Sequence, residues 1–235
     1  MKPFFSIITP VLNGERFAAN YVNCLRQQTW QDWEAIIVDD GSRDKTLETL
    51  TKACDSDLRF RILKNDFTGL KCGPASARNK ALSAAKGAFI CFLDIDDYWL
   101  PRKLELQANI LSSRSKILTY GSYVRAPLGG RTGTIHDATK LIPQHWLVKF
   151  MNPIAIQSKA LAVYHTHQNS VSNNKVRSAL WTWKCYRSLN YSLTASVLAF
   201  TLRGIMQLAL LLGEPFRKQV DLQQFISGNV YGLDD

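Results

Sequence analysis

The chain's 235 residues are enough to bury one large core or two small ones. At 46% hydrophobic and 20% charged it is globular, which excludes a disordered chain. A net charge of +10 asks for an anionic partner: nucleotide phosphates, acidic lipid or nucleic acid.

Phe4 to Thr9 reads as a first strand, ended by Pro10, with a turn over Val11-Leu-Asn-Gly14. A helix follows from about Glu15 to Gln28, with Phe17, Tyr21, Val22 and Leu25 on one face. Trp30 and Trp33 flank the next connection as packing residues. Ala35 to Val38 is a short buried strand that ends in Asp39-Asp40-Gly41-Ser42, where Gly41 permits the turn and Ser42 caps a helix from near Arg43. Arg59 to Leu63 is a third strand, and Pro74 to Lys86 an alanine-rich helix with Pro at its start and Gly87 past its end. Phe89 to Leu93 reads as a strand buried on both faces that runs into Asp94, Asp96 and Asp97. Pro101 opens another helix, and Gly129 to His136 reads as a hairpin and loop. The five cysteines are scattered, without Cys-x-x-Cys, and the opening Met-Lys-Pro-Phe-Phe-Ser lacks a signal-peptide pattern, so a reducing, cytoplasmic setting is expected.

Strand and helix thus alternate, which predicts an α/β domain on a parallel sheet. Such sheets bind ligands beyond the carboxyl ends of their strands. Thr9-Pro10, Asp39-Asp40 and Asp94 to Asp97 all lie at such ends. Three crowded carboxylates repel one another, and a divalent cation with a taste for hard oxygen, Mg2+ or Mn2+, is the usual compensation. The chain has neither a Gly-x-Gly-x-x-Gly fingerprint nor a P-loop.

Ser6 to Asn13, Gln28-Thr29, Val38 to Asp44, Ala77-Arg-Asn79 and Phe92 to Asp97 resemble, in order and spacing, the successive blocks of a family 2 glycosyltransferase. The resemblance covers residues 1 to about 120. It implies a GT-A fold, a nucleotide-sugar donor (a UDP-sugar favoured), a divalent metal and inverting transfer, in the manner of bacterial enzymes that build cell-surface polysaccharide. By similarity, Asp40 takes the base, with Asp39 as the alternative contact or as a turn holder, and Thr9, Pro10 and Asn13 shape the pocket. Arg78 either meets the nucleotide or pairs with an aspartate. Asp97 or Asp96 reaches the metal, and Asp94 or Asp96 the ribose.

Beyond residue 120 the chain departs from the family. Inverting transfer needs a carboxylate base, which the family places in a later acidic block. Between Tyr98 and Gly213 the only carboxylates are Glu105 and Asp137, with Asp137 the first candidate. Phe150 to Ile154 and Ala162 to Lys175 resemble family stretches that are normally several dozen residues apart, so an internal deletion in the acceptor half is inferred. His165 and His167 fall in that tail: they lie near the donor metal, form a separate site, or are surface residues. Lys175 to Arg187 is basic and aromatic, and Leu189 to Leu212 is largely apolar with Arg203 in its middle. This suits an interfacial helix on anionic lipid, at the cytoplasmic face of an inner membrane, better than a span. The expected division is a nucleotide-sugar domain over 1–125, an abbreviated acceptor region over 126–175, basic and apolar helices over 176–213, and a loose tail over 214–235. The acceptor is expected to be a saccharide or lipid-linked, and nucleic acid is not expected as a partner, since no zinc finger, helix-turn-helix or aromatic strand motif is present. The runner-up is a nucleotide-sugar-binding protein that has lost transfer.

Overall fold

The structure, a computed structural model, describes residues 2–65, 73–112, 118–136, 154–157, 160–166, 197, 201 and 219–227. Four parallel strands form its first sheet, β1 (Phe5–Val11), β2 (Trp33–Asp39), β3 (Phe60–Lys64) and β4 (Phe89–Phe92), in the order β3-β2-β1-β4. Period-two alternation divides their side chains between two layers. Phe5, Ile7, Val11, Ala35 and Ile37 pack with α1 (Glu15–Arg26), α2 (Thr46–Cys54) and α4 (Lys103–Ser112). Ile8, Ile36 and Val38 face α3 (Pro74–Ala84), whose Ala77 and Ala81 let the helix sit close to the sheet.

A second sheet is built from widely separated pieces. Its order is β11 (Gln219–Asp221), β8 (Thr132–His136), β7 (Tyr123–Pro127), β10 (Ala162–Thr166) and β5 (Tyr98–Trp99). Val124, Ala126, Ile135, Val163 and Val220 form its core, closed by Leu222 and Phe225 of a short helix, α5 (Leu222–Ile226). The stretch from Gly129 to His136, read as a hairpin and loop, supplies the turn and second strand of a hairpin whose first strand, β7, precedes it. Two further strands, β6 (Leu118–Gly121) and β9 (Ile154–Gln157), pair in parallel.

Several sequence expectations are corrected. Pro10 does not end β1, which runs on to Val11 beside β2. The pairing with β4 stops at Ile8, so the missing N–H of Pro10 deprives no strand on that side. Trp33 lies inside β2 rather than in a connection. Helix α2 begins at Thr46, with Lys45 and not Ser42 at its N-cap position; the Asp44 carboxylate just before it accepts from Thr46 N at 3.1 Å and from Glu15 N, at the start of α1, at 3.2 Å. Strand β4 is not buried on both faces: among the described residues it pairs only with β1, and Ile90 and Phe92 are 40% and 55% exposed. The supposedly loose tail contributes β11 and α5 to the second core, anchored by buried Val220, Leu222 and Phe225. The expected basic and apolar helices over 176–213 lie outside the described residues, save Val197 and Thr201. Among the described residues, no helix is long and apolar enough to cross a membrane.

The amino-terminal end of the first sheet is tied by a buried polar network. Glu34 accepts from Ser6 Oγ and Lys86 N, each at 2.7 Å, and pairs with Arg61 at 3.3 Å. Its pKa is lowered although burial pushes it upward, because these donors together outweigh the desolvation. Gly87 N donates to Ser6 Oγ at 2.8 Å, and a Cβ at Gly87 would stand 2.5 Å from Ser6 N, so only glycine permits this approach. Glu34→Ala is expected to lower unfolding free energy by about 2 kcal/mol in urea titration, by orphaning these donors, with a discount for half-exposed Arg61.

Candidate functional site

The carboxyl ends of β1, β2, β3 and β4 meet on one rim, as the strand order requires. At the end of β2, Asp39 and Asp40 are both buried and take different roles. The Asp39 carboxylate accepts from Gly41 N and Ser42 N at 3.3 Å and so holds the turn, which Gly41 makes at φ 89°. Asp40 faces β3 instead and accepts from Asn65 Nδ2 at 2.6 Å. Asn65, itself buried, also donates its backbone N–H to Asp39 O at 2.7 Å. The sequence reading missed Asn65; its signal was an amide side chain directly after the third strand of the parallel sheet, at the same strand-end position as the aspartates.

The residues expected to shape the pocket separate. Thr9 is fully buried and its hydroxyl is bonded to Tyr21 OH at 2.6 Å, so its side chain belongs to the core, a correction that follows from strand alternation. Asn13 adopts a left-handed φ of 53° and stitches two loops together. Its N–H donates to Ser42 Oγ and its Oδ1 accepts from Arg43 N, both at 2.9 Å. Pro10 stands half-buried between these loops and the rim, paired in register with Val38.

At the end of β4, Arg78 of α3 donates to Asp94 Oδ1 at 2.6 Å. The pair lines an open cleft of about 350 Å3 together with Phe92 and Asp97. Asp97 is largely buried, and its pKa is pushed up to about 8, first by that burial and further by the charges of Asp96 and Asp94. The register of β5 with β10, which sets Val163 opposite Tyr98, brings His165 beside the aspartates. His165 N donates to Asp97 Oδ1 at 2.9 Å, and its Nδ1 lies 2.5 Å from the Asp96 carbonyl oxygen. A carbonyl only accepts, so Nδ1 carries a proton and donates it to this oxygen. Of the placements open for His165, the structure selects the one at the aspartates; His167 lies outside the described residues, as does Asp137.

These groups fit a divalent cation. A buried carboxylate with a strongly raised pKa, crowded by two others, is short of positive charge. Among the described residues, no three metal-binding side chains form a ready-made cage.

The sequence profile described as glycosyl transferase family 2 matches residues 6–201. The chain belongs to this family. An uncharacterized glycosyltransferase of Haemophilus influenzae is 30% identical to this family 2 glycosyltransferase over 222 residues, taking in 78% of this chain and 88% of its own. WfgD of Escherichia coli, a UDP-Glc:alpha-D-GlcNAc-diphosphoundecaprenol beta-1,3-glucosyltransferase, is 37% identical over 118 residues, 50% of this chain and 45% of its own length. The chain therefore spans under half of WfgD. Staphylococcus aureus TarS, residues 1–349 in complex with UDP-GlcNAc, shares the GT-A fold at a TM-score of 0.58 and 20% identity, over 83% of this chain and 69% of its own. The Haemophilus alignment spans 222 positions, yet 78% of 235 residues is about 183, so about 39 positions of the relative have no counterpart here. The shorter WfgD match shows no such shortfall, since half of 235 is about 118.

Proposed function

We propose that this family 2 glycosyltransferase takes its sugar from a UDP-sugar, with Asp40 receiving the base and Asp97, helped by Asp96, holding Mg2+ or Mn2+ against the diphosphate. The observation that carries this reading is the convergence of the Asn65-held Asp40 and the crowded, buried Asp97 on one rim of a parallel sheet. The names of WfgD, with its UDP-Glc donor, and of TarS in complex with UDP-GlcNAc support the uridine donor. Pairing with Arg78 leaves Asp96 as the better placed contact for the ribose. The metal, when bound, stabilises charge on the leaving diphosphate. WfgD's diphosphoundecaprenol acceptor supports a lipid-linked or polysaccharide acceptor for this chain too, reached with inversion at an anionic membrane surface on the cytoplasmic side. Asp137 is proposed as the base.

Titration calorimetry of UDP against the full chain tests the donor site. Binding is expected to be at least about 30-fold tighter with Mn2+ than with EDTA, about 2 kcal/mol. No binding in either condition would remove the donor reading.

A second reading has its own support. About 39 positions of the Haemophilus relative are missing here, and Glu105, the described carboxylate nearest in sequence to the aspartates, is engaged by Thr29 Oγ1 at 2.9 Å and Arg102 Nε at 3.1 Å. On this reading the protein binds the nucleotide-sugar without transferring it. Turnover of UDP-Glc with an undecaprenyl-diphosphate-linked sugar decides between the two: transfer that Asp137→Asn reduces at least about 100-fold supports the enzyme, and donor binding without turnover supports the binding protein.

A further inference from the structure

Behind Asp97 lies a cavity of about 300 Å3 that shares Phe92 and Asp97 with the open cleft and runs between α4 and the second sheet. Its walls hold two buried polar side chains whose polar ends are unmatched among the described residues. Lys103 is 9% exposed, and no acid pairs with it among the described residues; its Nζ lies 3.3 Å from the centre of the Trp99 ring. Gln107, one helical turn further along α4 and also 9% exposed, has a buried Oε1 without a hydrogen-bond partner. Burial pushes the Lys103 pKa down, toward the neutral amine, so an anion that restores its charge would be welcome there, and the orphaned amide oxygen of Gln107 costs free energy of its own. A fold with no use for the cavity would be more stable with Met and Leu at these positions.

We infer that this cavity is a subsite for a sugar ring bearing a carboxylate, a hexuronate type, with the Lys103 ammonium meeting the carboxylate and Gln107 Oε1 accepting from a ring hydroxyl. The inference rests on the donor reading above, since the cavity opens beside Asp97. A single lysine, its charge restored by an anionic partner, balances one negative charge, which matches a carboxylate. Trp99, Tyr123 and Tyr164 supply aromatic surface of the kind that suits the apolar faces of a sugar ring. The occupant is either the sugar of the donor or the accepting sugar.

Two calorimetric arms separate these sources, both on the full chain with Mn2+. In the donor arm UDP-glucuronate is compared with UDP-glucose; in the acceptor arm free glucuronate is compared with glucose, with and without UDP present. The acidic sugar is expected to bind at least about tenfold tighter in one arm. That preference disappears in Lys103→Met and in Gln107→Glu; the second variant keeps the cavity's volume but sets a carboxylate beside the lysine. UDP affinity unchanged in both variants shows that they are folded. Equal binding of acidic and neutral sugars in both arms, or a preference that survives both variants, overturns the inference. Should UDP itself fail to bind the wild-type chain, the donor reading falls, and the UDP-free glucuronate titration still decides the subsite.

Discussion

Asp97→Asn is expected to abolish the gain in UDP affinity that Mn2+ confers, and to flatten the pH dependence of the metal-free protein's stability. Both effects come from one buried carboxyl. Its pKa is pushed up to about 8 from an ordinary value of 3.8, so in the folded state it holds its proton where the unfolded chain has lost it. The folded state therefore binds more protons between these values, and stability falls as pH rises through that window. Below about pH 4 the contribution is complete; above about pH 8 it is gone. Asparagine cannot ionise, so melts at pH 5 and pH 8.5 should bring the two proteins apart by about 2 kcal/mol in favour of the variant at the higher pH. Mn2+ should reverse the order at pH 8.5, because only the wild type gains a ligand that binds the folded form. Parallel melting profiles for the two proteins without metal would show that Asp97 is not the buried acid described here.

On the proposed donor reading, Asp40→Ala is expected to weaken UDP binding about 30-fold or more, equally with and without Mn2+, because the loss then falls at the base and not at the diphosphate. The carboxylate is held at 2.6 Å by Asn65 Nδ2 and is therefore oriented before any ligand arrives. Asn65→Ala should give a smaller loss, about tenfold, together with about 1 kcal/mol of lost stability, since Asp40 is left buried with one donor fewer. Asp39→Ala provides the contrast: its carboxylate serves Gly41 N and Ser42 N, so stability should fall more than affinity does. Calorimetry with UDP and with uridine, beside urea titrations of the same variants, separates the three. Equal affinity losses from Asp39→Ala and Asp40→Ala would remove the division of labour between the two aspartates.

The first half of the fold was legible because its signals are local. Apolar runs of strand length stop at turn residues, helices start at Pro74 or end before Gly87, and both aspartate clusters fall at strand ends. What the sequence hid depends on neighbours distant along the chain. An apolar run such as Phe89 to Phe92 reads the same at the centre of a sheet and at its margin; only the absence of a second partner among the described residues distinguishes them. Strand β11 is three residues long and has no periodicity to read, and it exists because Gly133 and Thr134 of β8 offer it an edge. Asn65 and His165 looked like ordinary polar residues until register placed one against Asp40 and the other against Asp97. The Asp44 contacts were missed because one carboxylate serves two helix starts, whereas helix starts are read one at a time in a sequence.

The dispersed make-up of the second sheet bears on how the chain comes to be folded. The four parallel strands are complete by residue 92, within reach of a chain still being synthesised. The other sheet joins residues 98–99 to 162–166 and, at its far edge, 132–136 to 219–221, so its pairings close long loops. The parallel sheet can consequently assemble early on the ribosome, whereas the backing that His165 gives to Asp97 waits for β10, and the outermost strand for residues 219–221.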